Sequence, residues 1–331
     1  MIKMQRSLET NVISLCVVAA CLLVTMISHS VFAAEKEYPT RPINMVVGFN
    51  PGGGSDLASR IMADKISPFL RQPLISVYKP GGDGALAASL VAKSKPDGYT
   101  LLVMVSFMNA PPELKKVDFT MYDFIPTGIF YASPNFFVVK ADSRWKTIKD
   151  FVEEAKKSPG KLSYSSTGPG TSGFFTYSLF AKYSGIQLSH IPYKSCGDAM
   201  TALLGGHVDA YFCVGVGAID SPLVRPLATA EMTRLEGWPE IPTFAESGYP
   251  KVLYNSFISY VFPKGTPQNY VDKVATAQKK AYEQFPEEIK QGFKRIQGSP
   301  ANVGPQETVQ EFKNHYDLIQ TLMREAKVPV K

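Results

Sequence analysis

The sequence predicts an α/β protein of two lobes, each built on a parallel or mixed sheet flanked by helices. Short apolar runs alternate with segments of helical periodicity, then the alternation stops and restarts. Helical segments dominate from residue 267 to the end of the sequence, and helices without a sheet must pack on one that already exists. We therefore expect the chain to return to the first lobe through crossovers near 138 and 256 that act as a hinge.

The elements follow one another with short connections, which is typical of parallel strands joined by helices. In the helix predicted at 55–70 the apolar residues fall on one face, and Ser55 is placed to be its N-cap. A proline-rich loop at 238–250 interrupts the second run of elements. The predicted strands are 43–49, 74–79, 99–105, 135–141, 162–167, 188–194, 208–213, 224–230 and 256–262. The predicted helices are 55–70, 84–94, 145–158, 171–185, 198–206, 267–286, 287–296 and 305–327.

The N-terminus resembles an export signal. Lys3 and Arg6 precede an uncharged, largely apolar stretch at 11–34 that ends in small residues. Cleavage is expected after Ala33, so that residues 1–33 are a signal peptide and the mature protein is periplasmic. An uncleaved membrane anchor and a lipoprotein modified at Cys21 are the alternatives. The mature chain then divides into a discontinuous first lobe, 34–137 plus 256–331, and a second lobe, 138–255.

Composition excludes several classes of function. The formal net charge is +6, and the basic residues are spread out, with no run of four or more Lys or Arg. This pattern argues against nucleic-acid binding and is compatible with an anionic ligand.

The loop FNPGGGSD joins the first strand to its helix. Consecutive glycines let the backbone approach a ligand, and the helix N-terminus that follows favours an anion. The alternative is an ordinary tight turn. A nucleotide P-loop is excluded, because no Lys follows these glycines until Lys65.

A second glycine motif, Gly168-Pro169-Gly170-Thr171-Ser172-Gly173, matches the spacing of a dinucleotide site. The acidic residue that such a site needs at the end of the next strand is missing, since Tyr193 and Lys194 stand there. We therefore expect no cofactor. The motif still supplies a second helix N-terminus, with hydroxyls at Thr167, Thr171 and Ser172 that suit a carboxylate.

No catalytic or metal constellation is evident. The mature chain has His190, His207 and His315 at unrelated positions, and no G-x-S-x-G motif occurs. Each histidine is interpreted as structural or exposed. A binding protein is the leading class, an exported enzyme the second and a structural adhesin the third.

Together these segments resemble the Bug solute receptors of the tripartite tricarboxylate transporters. The resemblance spans the mature chain in order, through PINMVVGFNPGGGSD, KPDGYTLLV, IPYKSCGDAMTALLGGHVDA, PEIPTFAESGYP and FPKGTP. It implies a flytrap-like periplasmic binding fold, a non-enzymatic monomer, a small carboxylate ligand and delivery to a membrane permease pair. The residues it implies for the site are Phe49, Asn50, Gly52, Gly53, Gly54, Ser55, Asp56, Gly84, Ala85, Ser106, Thr167, Gly170, Thr171 and Ser172.

Departures from the family pattern bear on the ligand. YKSCGDAM replaces the usual YKGSGPAL, CVGV replaces an Asp-Asn-Leu-Pro segment, and Phe174 stands in the first turn of the second glycine-loop helix. The missing acid argues against an amino acid, and the less polar cleft favours an apolar or aromatic acid. Cys196 and Cys213 are accordingly placed in the site, and we predict that they form a disulfide lining the cleft.

Overall fold

The computed structural model describes residues 37–109, 117–215 and 219–325. Residues 1–40 form a separate unit from residues 41–331, and everything below concerns the second of these. The predicted signal peptide lies outside the described residues. No helix in the described ranges is long and apolar enough to cross a membrane.

The strands match the predicted ones and add two more. They are β1 (Ile43–Val47), β2 (Leu74–Tyr78), β3 (Thr100–Val105), β4 (Phe124–Ser133), β5 (Asn135–Lys140), β6 (Ser163–Ser166), β7 (Ser189–Pro192), β8 (Ala210–Val214), β9 (Val224–Thr229), β10 (Ser256–Pro263) and β11 (Ser299–Val303).

The helices also fall close to the predicted segments. They are α1 (Gly54–Leu70), α2 (Ala85–Ala92), α3 (Ile148–Lys157), α4 (Ser172–Ser184), α5 (Cys196–Leu204), α6 (Gln268–Gln284), α7 (Pro286–Arg295) and α8 (Pro305–Glu325).

The strands form two mixed sheets, as the prediction of parallel or mixed sheets allowed. The first has the order β11-β4-β10-β3-β1-β2, and the second has the order β7-β6-β8-β5-β9. In the first, β2, β1 and β3 run parallel while β10 is antiparallel to both β3 and β4. In the second, β7, β6 and β8 run parallel while β5 is antiparallel to its neighbours. The antiparallel strands are those next to the crossovers.

Strands β4 and β11 were not predicted, and each contains a proline. Pro126 and Gly128 interrupt β4, and the pairing of β4 with β10 shifts register in two places. Pro300 is tolerated in β11 because this strand is at the sheet edge, where a missing N–H costs no ladder hydrogen bond. Helices dominate the end of the chain as expected, but β11 also lies there and joins the first sheet.

The chain passes between the sheets at two crossovers that lie side by side. One is at Pro134, between β4 and β5, and the other leads into β10. The buried side chain of Asn135 joins them, because its Nδ2 donates to the Tyr254 carbonyl at 3.3 Å and to the Ser256 hydroxyl at 3.1 Å. The predicted lobe boundaries remain a prediction. The chain leaves the first sheet after Ser133 and enters the second sheet at Asn135, a few residues before residue 138.

The core of the second sheet is rich in aromatic rings. Phe137 stacks on Phe212 with centroids 4.6 Å apart and lies parallel to Phe244 at 6.2 Å. Helix α8 contacts both cores: Phe312 packs in the first, and Ile319 belongs to the second. The terminal helix thus holds the two sheets together as well as covering the first.

Candidate functional site

The loops predicted to bind ligand follow the carboxyl ends of parallel strands in the two sheets. The glycine loop follows β1 and Ser106 follows β3, whereas the second glycine motif follows β6. Carboxyl ends of neighbouring parallel strands share one edge of a sheet, where ligands of α/β proteins commonly bind. Each sheet therefore presents one such edge.

The glycine loop is held in shape by Asp56. The side chain of Asp56 is fully buried. One carboxylate oxygen accepts the Gly52 N–H at 2.8 Å, and the other accepts the Tyr78 hydroxyl at 3.0 Å. Arg60 lies 3.9 Å from the first of these oxygens. The structure thus gives Asp56 a positioning role, and its predicted direct contact with the ligand stays a prediction.

Helix α1 begins one residue earlier than the sequence indicated. Its N-cap is Gly53, in an extended conformation, and not Ser55, which lies inside the first turn and is partly exposed. Glycine has no side chain to accept the first amides, whose partners must come from elsewhere. Asn50, Gly52 and Gly54 are exposed around this helix start.

The loops after β1, β2 and β3 approach one another closely, and Gly84 is central. It has a positive φ of 88°, and a Cβ on Gly48 would lie 2.8 Å from its Cα. A Cβ on Gly84 itself would lie 2.8 Å from the Met108 Cε. Glycine is therefore required here by both backbone conformation and space. Ala85, which follows as the first residue of α2, is partly exposed.

A serine and a histidine hold the second glycine motif. The Ser166 hydroxyl lies 2.7 Å from His190 Nε2 and accepts the Gly168 N–H at 3.1 Å. His190 stacks on Tyr164 at 4.6 Å, and burial lowers its pKa from 6.5 to about 4. The imidazole is thus neutral at pH 7, and its tautomer decides whether Nε2 donates to the Ser166 hydroxyl or accepts from it. Sequence reasoning missed this pair, because the two residues lie on neighbouring strands and are far apart in the chain.

The remainder of this motif is buried. Thr171 and Ser172 are almost fully covered, and the Thr171 hydroxyl donates to the Gly168 carbonyl at 2.7 Å. Thr167 is partly exposed, while Gly170 is buried with a φ of 84°. A Cβ on Gly173 would lie only 2.0 Å from the Phe212 carbonyl oxygen. The last glycine of the motif therefore lets α4 pack directly on the backbone of β8.

The two glycine-loop helices lack a side-chain cap. Gly53 and Thr171 are the N-caps of α1 and α4, and neither provides a capping hydrogen bond. By contrast, the hydroxyls of Thr147 and Ser195 accept the N3 amides of α3 and α5. Helices α2, α6 and α7 also begin without a side-chain cap. What sets α1 and α4 apart is that their uncapped starts lie at the glycine loops predicted to bind ligand, where an anion could satisfy the first amides.

The predicted disulfide between Cys196 and Cys213 is confirmed, with Cα atoms 6.0 Å apart. Cys196 begins α5, and Cys213 lies inside β8. Cys213 is buried among the residues between α5 and the second sheet. The bond ties the start of α5 to the carboxyl end of β8.

Phe174 belongs to the second core, where its ring packs against Phe175 and His190. Every residue from 171 to 176 is buried, so this first helical turn gives no amphipathic pattern to separate a core ring from a cleft ring. The ligand contact proposed for Phe174 stays a prediction.

Two residues that the sequence did not suggest, Phe107 and Tyr254, bring the two edges together. Phe107 packs against the cores of both sheets and meets Phe49 edge to face at 6.0 Å. Tyr254, just before β10, stacks on Phe175 of α4 at 5.4 Å, and its hydroxyl neighbours that of Ser106 without normal hydrogen-bond geometry. The sequence could have suggested both residues, because Phe107 closely follows the predicted strand 99–105 and Tyr254 closely precedes the predicted strand 256–262.

The described residues contain no group of three or more His, Cys, Asp or Glu side chains able to hold a metal ion. A separate cavity of about 410 Å³ lies between α6 and strands β4 and β11, and none of the predicted site residues lines it.

Two mixed sheets joined by two crossovers, with glycine-rich helix starts at their strand ends, define a solute-binding receptor of the periplasmic type. The family model described as "Tripartite tricarboxylate transporter family receptor" matches residues 58–322, and the chain belongs to this family. The predicted resemblance and fold are thereby confirmed.

Individual relatives and solved structures agree with this family assignment. A Cupriavidus necator protein described as "UPF0065 protein in gbd 5'region" is 37% identical over 252 residues, which cover 75% of this chain and 77% of the relative. A solved periplasmic transporter is 30% identical with a TM-score of 0.78, over 89% of this chain and all of the other. The periplasmic binding protein BugD is 28% identical with a TM-score of 0.75, over 88% and 99% of the two chains.

Proposed function

We propose that this receptor captures a small organic carboxylate between the two strand edges and delivers it to the membrane permease pair of a tripartite tricarboxylate transporter. The observation that carries the proposal is the pair of helix starts, at Gly53 and Thr171, without side-chain caps. Both have first-turn amides and the positive end of a helix dipole that an anion can satisfy, exposed at α1 and buried at α4. Asp56 and Ser166 hold the adjoining loops in shape, which lowers the cost of ordering them on binding.

The ligand is an apolar or aromatic acid. The half-buried rings of Phe49 and Phe107 lie at the first strand edge, and they offer an apolar surface beside the exposed glycine amides. A carboxylate on the amides places the rest of the ligand against these rings. Citrate-like acids would bring further charges onto the same apolar surface, which is unfavourable.

The chain is exported through its N-terminal signal and works as a periplasmic monomer. Support comes from the charge and apolar pattern of residues 1–33 and from the periplasmic location of its relatives. Capture by an open form, followed by closure about the two crossovers, buries the carboxylate and creates the surface that the permease recognises.

The receptor leaves its ligand chemically unchanged. Ser166 and His190 are in contact and would be the nucleophile and base of an exported enzyme. Ser166 is fully buried, however, and its oxygen is engaged by the Gly168 amide. The pair therefore shapes the loop. Mass spectrometry of the ligand recovered from the complex should return the input acid, whereas a modified acid would identify an enzyme.

A charge substitution tests the anion site directly. Gly54 is the first residue of α1 and has open space around a Cβ, so Gly54→Asp adds a negative charge without a clash. It should weaken binding of a monocarboxylate at least about tenfold in calorimetric titration, through repulsion and competition for the amides. The matched control is Gln268→Asp, which adds the same charge at the exposed first residue of α6.

Two outcomes would contradict the proposal. One is equal affinity in the Gly54→Asp variant and the unaltered protein. The other is equal binding of an acid and its neutral amide across a panel of benzoates, short fatty acids, succinate and citrate. Preference for citrate over the monocarboxylates would retain the carboxylate receptor and reject the apolar ligand.

A further inference from the structure

Several buried polar atoms without a hydrogen-bond partner lie where the two sheets meet. Besides the side-chain oxygens of Asn135 and Asn255 at the crossovers, they are the Ser106 hydroxyl, the Tyr254 hydroxyl and His315 Nδ1, and these last three belong to residues in contact with one another. The three residues are 0%, 1% and 4% exposed. Such atoms are rare in folded proteins, and a buried donor or acceptor left unpaired is unfavourable. Three of them close together indicate a missing partner.

The surroundings fix what each group can do. His315 contacts the Tyr254 ring edge to face at 5.1 Å and the Phe257 ring at 4.8 Å. Its other ring nitrogen donates to the backbone of Asn255, so the unpaired Nδ1 is an acceptor. Burial lowers the pKa of His315 from 6.5 to about 4, which keeps the ring neutral at pH 7.

The hydroxyls of Ser106 and Tyr254 are neighbours that do not satisfy one another. Burial holds the pKa of Tyr254 far above its usual value, so its proton stays in place. Each hydroxyl can both donate and accept. The cluster therefore contains two groups that donate and one, Nδ1, that only accepts.

This polar cluster adjoins the site already described. Ser106 directly follows β3 and precedes Phe107, whose ring meets Phe49 of the glycine loop at 6.0 Å. On the other side, the Tyr254 ring stacks on Phe175 in the first turn of α4, immediately after the second glycine motif. A ligand with its carboxylate on the glycine-loop amides and its body along Phe49 and Phe107 extends toward the cluster.

We infer that Ser106, Tyr254 and His315 form a second ligand subsite that selects carboxylic acids bearing a hydroxyl group remote from the carboxylate. A ligand hydroxyl can accept from Tyr254 or Ser106 and donate to His315 Nδ1. A second carboxylate fits less well, because it has no proton to give to Nδ1. The inference rests on the proposed carboxylate receptor and specifies its ligand as a hydroxy acid with an apolar body.

Matched acids provide the first test. Benzoate is compared with 3- and 4-hydroxybenzoate, 3-phenylpropanoate with 3-(4-hydroxyphenyl)propanoate, and hexanoate with 6-hydroxyhexanoate, each titrated calorimetrically into the purified, unreduced protein at pH 7. A site built to bond a hydroxyl rejects the analogue that lacks it, so at least one hydroxy acid should bind more than about tenfold tighter than its partner.

Variants then assign that preference to the cluster. Tyr254→Phe and Ser106→Ala should each reduce the hydroxyl preference to within about threefold. Tyr254→Phe should also leave the affinity of the unsubstituted acid nearly unchanged. Tyr260→Phe is the matched control, because Tyr260 is also fully buried and its hydroxyl donates to the Ser59 carbonyl. This control should lower stability without altering the preference.

The outcomes separate this inference from the proposed function. Binding of no carboxylate would overturn the proposed function, and this inference with it. Tight binding of carboxylates without a hydroxyl preference would overturn the inference alone and indicate that an internal water occupies the cluster. A preference that survives both Tyr254→Phe and Ser106→Ala would overturn it as well, and the ligand comparison holds even if one variant fails to fold.

Discussion

The two glycine-rich helix starts have similar sequences but different structural roles. The glycine loop before α1 is exposed and anchored by the buried carboxylate of Asp56. The motif before α4 is buried and anchored by the Ser166–His190 pair. A Cβ would be in open space on Gly54 and would collide with the Phe212 carbonyl on Gly173. Glycine thus exposes amides in the first loop, whereas in the second loop it permits close packing of α4 on β8.

The difference is tested most strongly by alanine at the two glycines. Gly173→Ala should lower the free energy of unfolding by about 3 kcal/mol, because a Cβ placed 2.0 Å from the Phe212 oxygen forces α4 away from β8. Gly54→Ala should change it by less than about 0.5 kcal/mol, since nothing lies near its Cβ. Urea unfolding of the two variants measures both values. Equal stabilities would show that the second loop is not constrained by packing.

The anchor of the first loop should have the next largest effect. Asp56→Ala leaves the Gly52 amide and the Tyr78 hydroxyl without their acceptor, which should lower the free energy of unfolding by about 2 kcal/mol and weaken carboxylate binding. The control is Asp142→Ala, because the Asp142 side chain is 76% exposed and forms a surface ion pair with Lys140. An effect no larger than that of the control would mean that Asp56 does not shape the loop.

The anchor of the second loop is neutral and should matter less. Ser166→Ala removes the partner of the Gly168 amide and of His190 Nε2, and we expect a loss of about 1 kcal/mol in urea unfolding. Ser189→Ala is the comparison, since Ser189 is exposed and its hydroxyl donates to the Gly160 carbonyl. A loss at Ser166 as large as that at Asp56 would remove the distinction between a charged and a neutral anchor.

Sequence reasoning predicted the arrangement of elements because it depends on local patterns. The apolar runs at 43–49 and 99–105 and the one-sided helix at 55–70 all form close to their predicted bounds. It failed at β4 and β11, which form through irregular, long-range pairing with other strands of the first sheet. Pairing of Cys196 with Cys213 was predicted, but the burial of Cys213 within β8 was not.

Only the backbone loops of the site could be predicted from the sequence. Glycine loops at strand ends are visible in a sequence, whereas the groups that hold them come from other strands. Tyr78 reaches Asp56 across 22 positions, and His190 reaches Ser166 across 24. Tyr254 meets Ser106 only because the chain crosses between the sheets twice. Such long-range partners require the fold before they can be identified.

Acid should act on the second loop through a group that the first does not contain. Burial lowers the pKa of His190 from 6.5 to about 4, so the unfolded chain takes up its proton first as pH falls. The stability due to neutral His190 is complete above about pH 6.5 and is lost progressively toward pH 4. His315 has the same shift and adds its own share. His190 and His315 together lower the free energy of unfolding as the pH falls from 7 to 5, and each contributes about half of that loss. His190→Phe should therefore remove the half due to His190, measured by urea unfolding at both pH values. If the variant loses as much unfolding free energy between pH 7 and pH 5 as the unaltered protein, His190 does not contribute to the acid sensitivity. The second glycine loop would then be no more sensitive to mild acid than the first, which has no histidine.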